Sequence, residues 1–309
     1  VIDLHTHSSF SDGSDTPTEL AQNAHELGLS AIALTDHDTT ASHDEMARAC
    51  AEHGIELIAG VEVSLVDDEY PKQRNGQTVA RNVHVLAYFL PLDPEHPLQQ
   101  NLELLRQDRD ERNRRLVALL QELGFGLVTL EYVANLARGY ESIGRPHFAR
   151  AMFELHPDIV GEESDESWRA LFNDWLGSDG RAYIARRSMT ISRFVDAAKG
   201  SGTVFSVAHP LMNYLEDSTS IESTMPRVLG SLRERGFRGV EAHYGGTSAT
   251  VRALMAKLTR DAGMIPTGGS DYHGTYKDSV RLGFGSSGDL RVPDEVLDEL
   301  KAARSANLS

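Results

Sequence analysis

The sequence predicts an α/β fold in which parallel strands alternate with helical crossovers, broken once by a helical insertion. Three observations carry this expectation. Short apolar runs alternate with helical patterns from Ile2 to Leu90. The rhythm breaks after Pro91 and gives way to helical pattern alone. It resumes near Ile191 and continues to the last helix.

Residues 2–4 read as the first strand. Thr16-Pro17-Thr18-Glu19 opens a helix, with Thr16 as N-cap, Pro17 at the first helical position and Glu19 at the third. Gly28 ends that helix. Residues 31–34 form the second strand, followed by a helix over about 42–53. Residues 55–58 form a third strand leading into Gly60-Val61-Glu62, and residues 83–90 a fourth. From about 94 to 124 runs one charge-rich helix. Its Arg106, Arg109, Arg112, Arg114 and Arg115 alternate with acids and read as an exposed, salt-bridged face. Shorter helices are expected over 129–138, 146–155 and 166–176. The alternation then returns as helix 191–199, strand 204–207, helix 225–235, strand 239–241, helix 249–263, strand 264–267 and a final helix from near Pro293. The expected division is therefore a discontinuous domain of 1–93 and 186–309, with 94–185 inserted as a helical domain.

The chain has 309 residues and a formal charge of −16. That excess of acid disfavours a protein that coats duplex nucleic acid, which needs Lys and Arg against phosphate. A small anionic substrate stays compatible, because bound dications reverse the local sign. No run approaches the roughly 18 apolar residues of a membrane helix. No basic segment followed by an apolar one opens the chain, so a cytoplasmic setting without membrane partners is expected. Cys50 is the single cysteine and reads as a small buried thiol.

Metal-ligand side chains gather where the apolar runs end. His5 and His7 sit two apart on a strand, so both imidazoles face one side. Asp271 and His273 repeat that spacing near the other end. Thr35-Asp36-His37 follows the second strand and Glu62 the third. His84, in the fourth, reads the same way, though it could also be a satisfied core histidine. His209 precedes Pro210, which favours extended backbone before it. Asp12, in Ser11-Asp12-Gly13, taken alone reads as a turn residue. In barrels of alternating strands and helices, strand carboxyl ends carry the chemistry. So many nitrogen and oxygen donors exceed one mononuclear site and point to several divalent ions, hence to metal-assisted hydrolysis. The absence of thiolate suits Mn²⁺, Zn²⁺ or Fe²⁺.

Taken together, Asp3-Leu4-His5-Thr6-His7-Ser8, Asp12, Thr35-Asp36-His37, Glu62, His84, Ala208-His209-Pro210 and Asp271-Tyr272-His273 resemble the PHP (polymerase and histidinol phosphatase) family. The resemblance spans nearly the whole chain outside the insertion. It implies a distorted (β/α)7 TIM-like barrel with a trinuclear metal site at the strand carboxyl ends. One ion would take His5, His7, Glu62 and Asp271. A second would share Glu62 and take His84 and His209. The third would take Asp12, His37 and His273. Histidinol-phosphatase-like members usually carry His at the place of Asp12, so the resemblance favours the nucleotide-phosphoesterase subgroup.

Substrate contacts are sought in the insertion. Arg145 in Gly144-Arg145-Pro146-His147 would stand at a helix N-terminus, which favours an anion, and a guanidinium there can hold phosphate. A solvated surface arginine is the competing reading. The resemblance adds His147. Tyr183, Arg186 and Arg187 form a second candidate patch, though Tyr183 also suits a core. Gly283-Phe284-Gly285-Ser286-Ser287-Gly288 matches GxGxxG but lacks the following helix, so it reads as a glycine-rich loop near the metals.

The expected function is hydrolysis of a small, nucleotide-like phosphate ester, a 3′,5′-bisphosphonucleotide or a cyclic phosphate, by a metal-bridging hydroxide attacking phosphorus. Asp271 and His209 are the expected catalytic residues. A metal-bound water and His209 are the candidate proton donors. The alternatives are trimming of short RNA 5′ ends, a silent nucleotide-binding module with the same fold, and carboxamide hydrolysis. The oligomeric state is open.

Overall fold

The computed structural model describes residues 1–74, 77–137, 142–177, 179–185, 189–216 and 219–308. Seven strands pair in chain order: β1 (Ile2–Thr6), β2 (Ala31–Leu34), β3 (Glu56–Arg74), β4 (Gln77–Tyr88), β5 (Val204–Val207), β6 (Gly239–Tyr244) and β7 (Ile265–Gly269). The last strand returns to the first. The Asp271 N–H donates to the His5 carbonyl at 2.9 Å and the His7 N–H to the Tyr272 carbonyl at 3.0 Å. The sheet thus curls into a nearly closed, distorted barrel. Closure needs a residue without a side chain at the seam. A Cβ on Gly269 would lie 2.4 Å from the His5 nitrogen.

Around the barrel lie α1 (Pro17–Glu26), α2 (His43–His53), a run of α3 (Pro97–Glu122), α4 (Leu130–Leu136), α5 (Arg145–Leu155), α6 (Pro157–Val160) and α7 (Asp165–Leu171), then α8 (Ile191–Ala197), α9 (Pro210–Tyr214), α10 (Ile221–Glu234), α11 (Ala249–Asp261) and α12 (Glu295–Leu308). The helix α1 begins as its sequence dictates. The Glu19 N–H donates to Thr16 Oγ1, and Glu19 Oε2 accepts from the Thr16 N–H. No helix among the described residues is long and apolar enough to cross a membrane.

The strands are not all parallel, as the rhythm of the sequence suggested. β4 runs antiparallel to both neighbours. The reason is that no helix separates it from β3. The third strand does not stop at residue 58. It continues through Val61, Val63 and Leu65, which are buried and alternate with Glu62 and Ser64, and a short turn suffices to reverse an antiparallel pair. Glu62 therefore lies within its strand rather than at its end. His84 reaches the same rim from the second half of β4, opposite Ser64.

Two apolar clusters pack the barrel strands against the helices, a third lies beneath α1 and α2, and a fourth belongs to the helical run. The helix α3 serves two of them. Leu98, Leu102 and Leu105 pack into the barrel cluster, while Leu116 and Leu120 pack with Phe125, Phe148 and Trp175. Each fully buried leucine contributes about 1.5–3 kcal/mol. The α7 helix passes directly into a π-helical turn at Phe172–Leu176.

Candidate metal centre

Glu62 is the centre of the site. Its carboxylate is 1% exposed, and five imidazoles converge on it. Oε2 lies 3.3 Å from His5 Nε2, 3.3 Å from His7 Nε2 and 3.1 Å from His37 Nδ1. Oε1 lies 2.9 Å from His84 Nδ1 and 3.0 Å from His209 Nε2. Asp271 Oδ1 closes one group, 3.5 Å from His5 Nε2 and 3.4 Å from His7 Nε2, and these two nitrogens are 3.2 Å apart. Asp12 anchors another: its oxygens lie 3.5 Å from His37 Nε2, 3.4 Å from His273 Nε2 and 3.7 Å from His7 Nδ1.

These separations fit metal ions. Four donors about 2.1 Å from one tetrahedral ion stand about 3.4 Å from each other. His5 Nε2 and His7 Nε2 stand 3.2–3.5 Å from each other, from Glu62 and from Asp271. Several buried atoms here also have no hydrogen-bond partner: His7 Nδ1, Asp12 Oδ1, His37 Nδ1 and His209 Nδ1. Orphaned buried polar atoms are rare in folded proteins unless a ligand completes them. His7, Asp12, His37 and His273 form one set able to hold an ion, His5, His7 and Glu62 a second, and His37, Glu62 and His84 a third.

The electrostatics show how strongly these groups are coupled. Burial raises the Glu62 carboxyl, but the surrounding histidines outweigh it and hold it well below the ordinary range. Asp271 is held down similarly, against burial, by Lys277 and the histidines. Burial pulls His7 down, but bonds to Asp271 and Glu62 carry it up to about 10. For His37 burial wins over Asp12 and Glu62, and the imidazole falls to about 4. Neighbouring rings pushed in opposite directions are what unbalanced, crowded charge produces.

Local structure aims each donor. Asp36 does not face the cluster. It accepts from the Ser8 N–H and from the hydroxyls of Ser8, Ser11 and Ser42 at 2.6–2.8 Å, and so pins the loop that carries Asp12. Glu241 Oε1 lies 2.7 Å from His5 Nδ1, which leaves Nε2 for the cluster, and its Oε2 accepts the His209 N–H at 2.6 Å. His209 is not extended before Pro210. Its φ is +27°, because Glu241 fixes its N–H while its ring turns toward Glu62. Asp271 and His273 lie beyond the end of β7. Asp271 has φ +57°, so the pair faces the cluster through a left-handed turn and not through strand alternation. The Gly283–Gly288 loop touches the site indirectly, through Gly283 N–H on the buried Asp3, two residues before His5.

A crevice opens beside Asp12, His37 and His84. Its other wall carries Arg109, Arg112, Arg145 and Tyr183. Arg145 stands at the N-terminus of α5, as its first residue and one place ahead of the start expected at Pro146, and donates to the Leu176 carbonyl at 3.2 Å. Tyr183 lines the crevice and accepts from Asn82 Nδ2 at 3.3 Å. His147 does not line it. Its ring caps α5, with Nδ1 accepting the Gly144 N–H at 3.0 Å. Arg186 and Arg187 lie outside the described residues. The exposed face expected for α3 holds for Arg114 and Arg115 but not for Arg109 and Arg112, which are 4% and 6% exposed. The signal was present: positions 98, 102, 105, 109, 112, 116 and 120 form one helical stripe, and the two arginines interrupt its leucines. Both Arg109 and Arg106 hold Asp38, one by its carboxylate and one by its carbonyl oxygen. Glu241, Lys277, Asp38 and the two arginines were not anticipated from sequence.

Known proteins resemble this chain over most of its length. The family model described as PHP domain matches residues 3–174. A 3′,5′-nucleoside bisphosphate phosphatase of Chromobacterium violaceum is 30% identical over 88% of this chain and 87% of its own. A 5′-3′ exoribonuclease of Haemophilus influenzae is 27% identical over 88% of this chain and 89% of its own. A solved structure from Bifidobacterium adolescentis, described as a candidate metal-dependent phosphoesterase, superposes with a TM-score of 0.78 at 29% identity, covering 98% of this chain and 96% of that one. With its barrel, its buried carboxylate ringed by histidines and these relatives, the chain belongs to the PHP domain family of metal-dependent phosphoesterases.

Proposed function

We propose that the protein hydrolyses a terminal phosphate ester of a small nucleotide-like metabolite, a 3′,5′-bisphosphonucleotide being the leading candidate. The observation that carries this reading is the arginine-lined crevice beside the cluster. It sets Arg109, Arg112 and Arg145 opposite Asp12, His37 and His84. A substrate with two anionic groups matches that layout, one group at the cluster and one at the guanidiniums. The bisphosphate phosphatase of C. violaceum supports this assignment.

Three divalent ions are assigned to the donor sets His5–His7–Glu62–Asp271, Glu62–His84–His209 and Asp12–His37–His273, with Mn²⁺, Zn²⁺ or Fe²⁺ equally suited to nitrogen and oxygen donors. When bound, such ions acidify water and withdraw charge from phosphoryl oxygens. The chain's own residues do the rest. Glu62 joins two donor sets through its two oxygens. Glu241 orients His5, and Asp36 orients the Asp12 loop. His209 and Asp271 act as holders of the cluster, since the atoms they present face Glu62, His5 and His7. Arg145, at the start of α5, grips the remote anion and orients the ester. Residues 94–185 act as a cap that supplies this second wall. Tyr183 takes the sugar side of the substrate, and Arg186 and Arg187 remain candidates for the same patch.

A second reading is trimming of RNA from its 5′ end, favoured by the exoribonuclease relative. A crevice of about 130 Å³ suits an end group and disfavours a duplex. The test is a Mn²⁺-supplemented screen of 3′,5′-bisphosphonucleotides, cyclic phosphates and 5′-phosphorylated short RNAs. Release of orthophosphate from the bisphosphates at the highest kcat/KM supports the leading reading. Preferential release of mononucleotides from RNA replaces it. No release from any ester refutes both.

A further inference from the structure

Asp271 has two oxygens, and they face different neighbours. Oδ1 looks into the cluster, toward His5, His7 and His273. Oδ2 accepts from the Tyr244 hydroxyl at 3.0 Å and from Lys277 Nζ at 2.6 Å. Lys277 reaches it from a single 3-10 turn, Gly274–Lys277. That turn is locked in place. The Thr275 N–H donates to Ser14 Oγ at 2.8 Å, and Gly274 has φ +65°, with any Cβ falling 1.9 Å from Ser14 Oγ. The lysine is thus delivered onto one oxygen by a rigid element and does not merely swing on the surface.

We propose that Lys277 is a positioning residue that keeps Asp271 a one-oxygen ligand and so leaves the neighbouring dication weakly held and open to substrate. The inference rests on the reading of Asp271 as a metal ligand. A carboxylate with both oxygens free can chelate a dication. That second bond would fill a coordination position and donate further charge, both at the expense of a phosphoryl oxygen. The Tyr244 hydroxyl shares Oδ2, but the bond from Lys277 is the shorter and the charge-assisted one, and so the stronger hold against a second metal bond. The ammonium also repels a dication bound a few ångströms away. Removing Lys277 has a sign opposite to that of ordinary structural damage: metal binds more tightly while turnover slows.

The test uses the full chain stripped of metal, with Lys277→Met and Lys277→Arg beside the unaltered protein. Mn²⁺ affinity is read by equilibrium dialysis and by the electron paramagnetic resonance signal of free Mn²⁺. Lys277→Met is expected to bind Mn²⁺ about tenfold more tightly or better, because a like charge beside the ion is gone. Its kcat at saturating Mn²⁺ is expected to fall, while Lys277→Arg retains both properties. Unchanged or weaker Mn²⁺ binding in Lys277→Met overturns the proposal, as does Lys277→Arg behaving like Lys277→Met. Should Lys277→Met not fold, Lys277→Gln carries the same expectation. Asp271→Asn separates the two layers of the argument. If it keeps full Mn²⁺ stoichiometry and affinity, the ligand reading fails. If it loses Mn²⁺ while Lys277→Met shows no tightening, only the positioning inference fails.

Discussion

Arg109 and Asp38 tie the helical run to the rim of the barrel, and cutting that tie has a calculable cost. The Asp38 carboxylate is fully buried, and the Arg109 side chain is 5% exposed. In Arg109→Met the carboxylate keeps the Ser64 N–H at 2.8 Å but loses the guanidinium. Removing one partner of a buried ion pair costs about 3–5 kcal/mol, because the remaining charge stays out of water. With a urea slope of about 3 kcal/mol per molar, the midpoint should fall by about 1 M or more. Asp38→Asn should cost less, about 1–3 kcal/mol, because the stranded guanidinium borders the open crevice. The double variant should lose less than the sum of the two, with a coupling of about 2 kcal/mol. Urea unfolding followed by circular dichroism gives all four stabilities. Strict additivity, or a midpoint for Arg109→Met within error of the unaltered protein, would refute the buried-pair argument.

The same geometry sets further expectations. Arg145→Ala should raise KM for a bisphosphate about tenfold or more, with a smaller change for a monophosphate, since it removes one bidentate anion contact; equal effects on both substrates would take Arg145 out of the second subsite. Glu62→Gln should release metal and abolish turnover, read by elemental analysis and by phosphate release, because the amide replaces the carboxylate shared by two donor sets. Burial pushes the Cys50 thiol up to about 11. The folded state therefore favours the protonated form, a contribution complete below pH 9 that is lost as pH rises toward 11. Folded protein should react with a thiol reagent at pH 8 only as fast as it opens, and rapid labelling would contradict the burial. Gly269→Ala should lower the melting temperature by several degrees, since its Cβ would strike the His5 backbone across the closing seam.

Much of the site was legible because its chemistry is written in residue type and position. His5, His7, Asp12, His37, Glu62, His84, His209, Asp271 and His273 do meet in one cluster, with His37, His84 and His273 on its partly exposed side. Residues that hold those groups were harder to see. Glu241 looked like the end of a short strand, and nothing local distinguishes an acid aimed inward from one in solvent. Lys277 reaches its partner through a turn whose geometry depends on Ser14, far away in sequence. Arg109 and Arg112 were hidden by a prior: charged residues on a long helix usually face water, and only their register with the leucines argued otherwise. The reversal of β4 was missed because a continuous β-hairpin and a strand–loop–strand crossover share the same short-range pattern.

That reversal also dictates the path of the chain beyond it. A strand running downward delivers the chain to the floor of the barrel, where Tyr88 sits opposite Val204 at the start of β5. Anything meant to roof the opposite opening must first travel back up the outer wall. At 1.5 Å per residue, the 26 residues of α3 supply about 39 Å of ascent. Gln99 bonds both the Pro91 carbonyl and the Thr40 hydroxyl, and about two to three turns further on Arg106 and Arg109 meet Asp38. The long helix is a mast: its height stems from one inverted strand, and the guanidiniums it raises over the mouth are part of what that detour delivers.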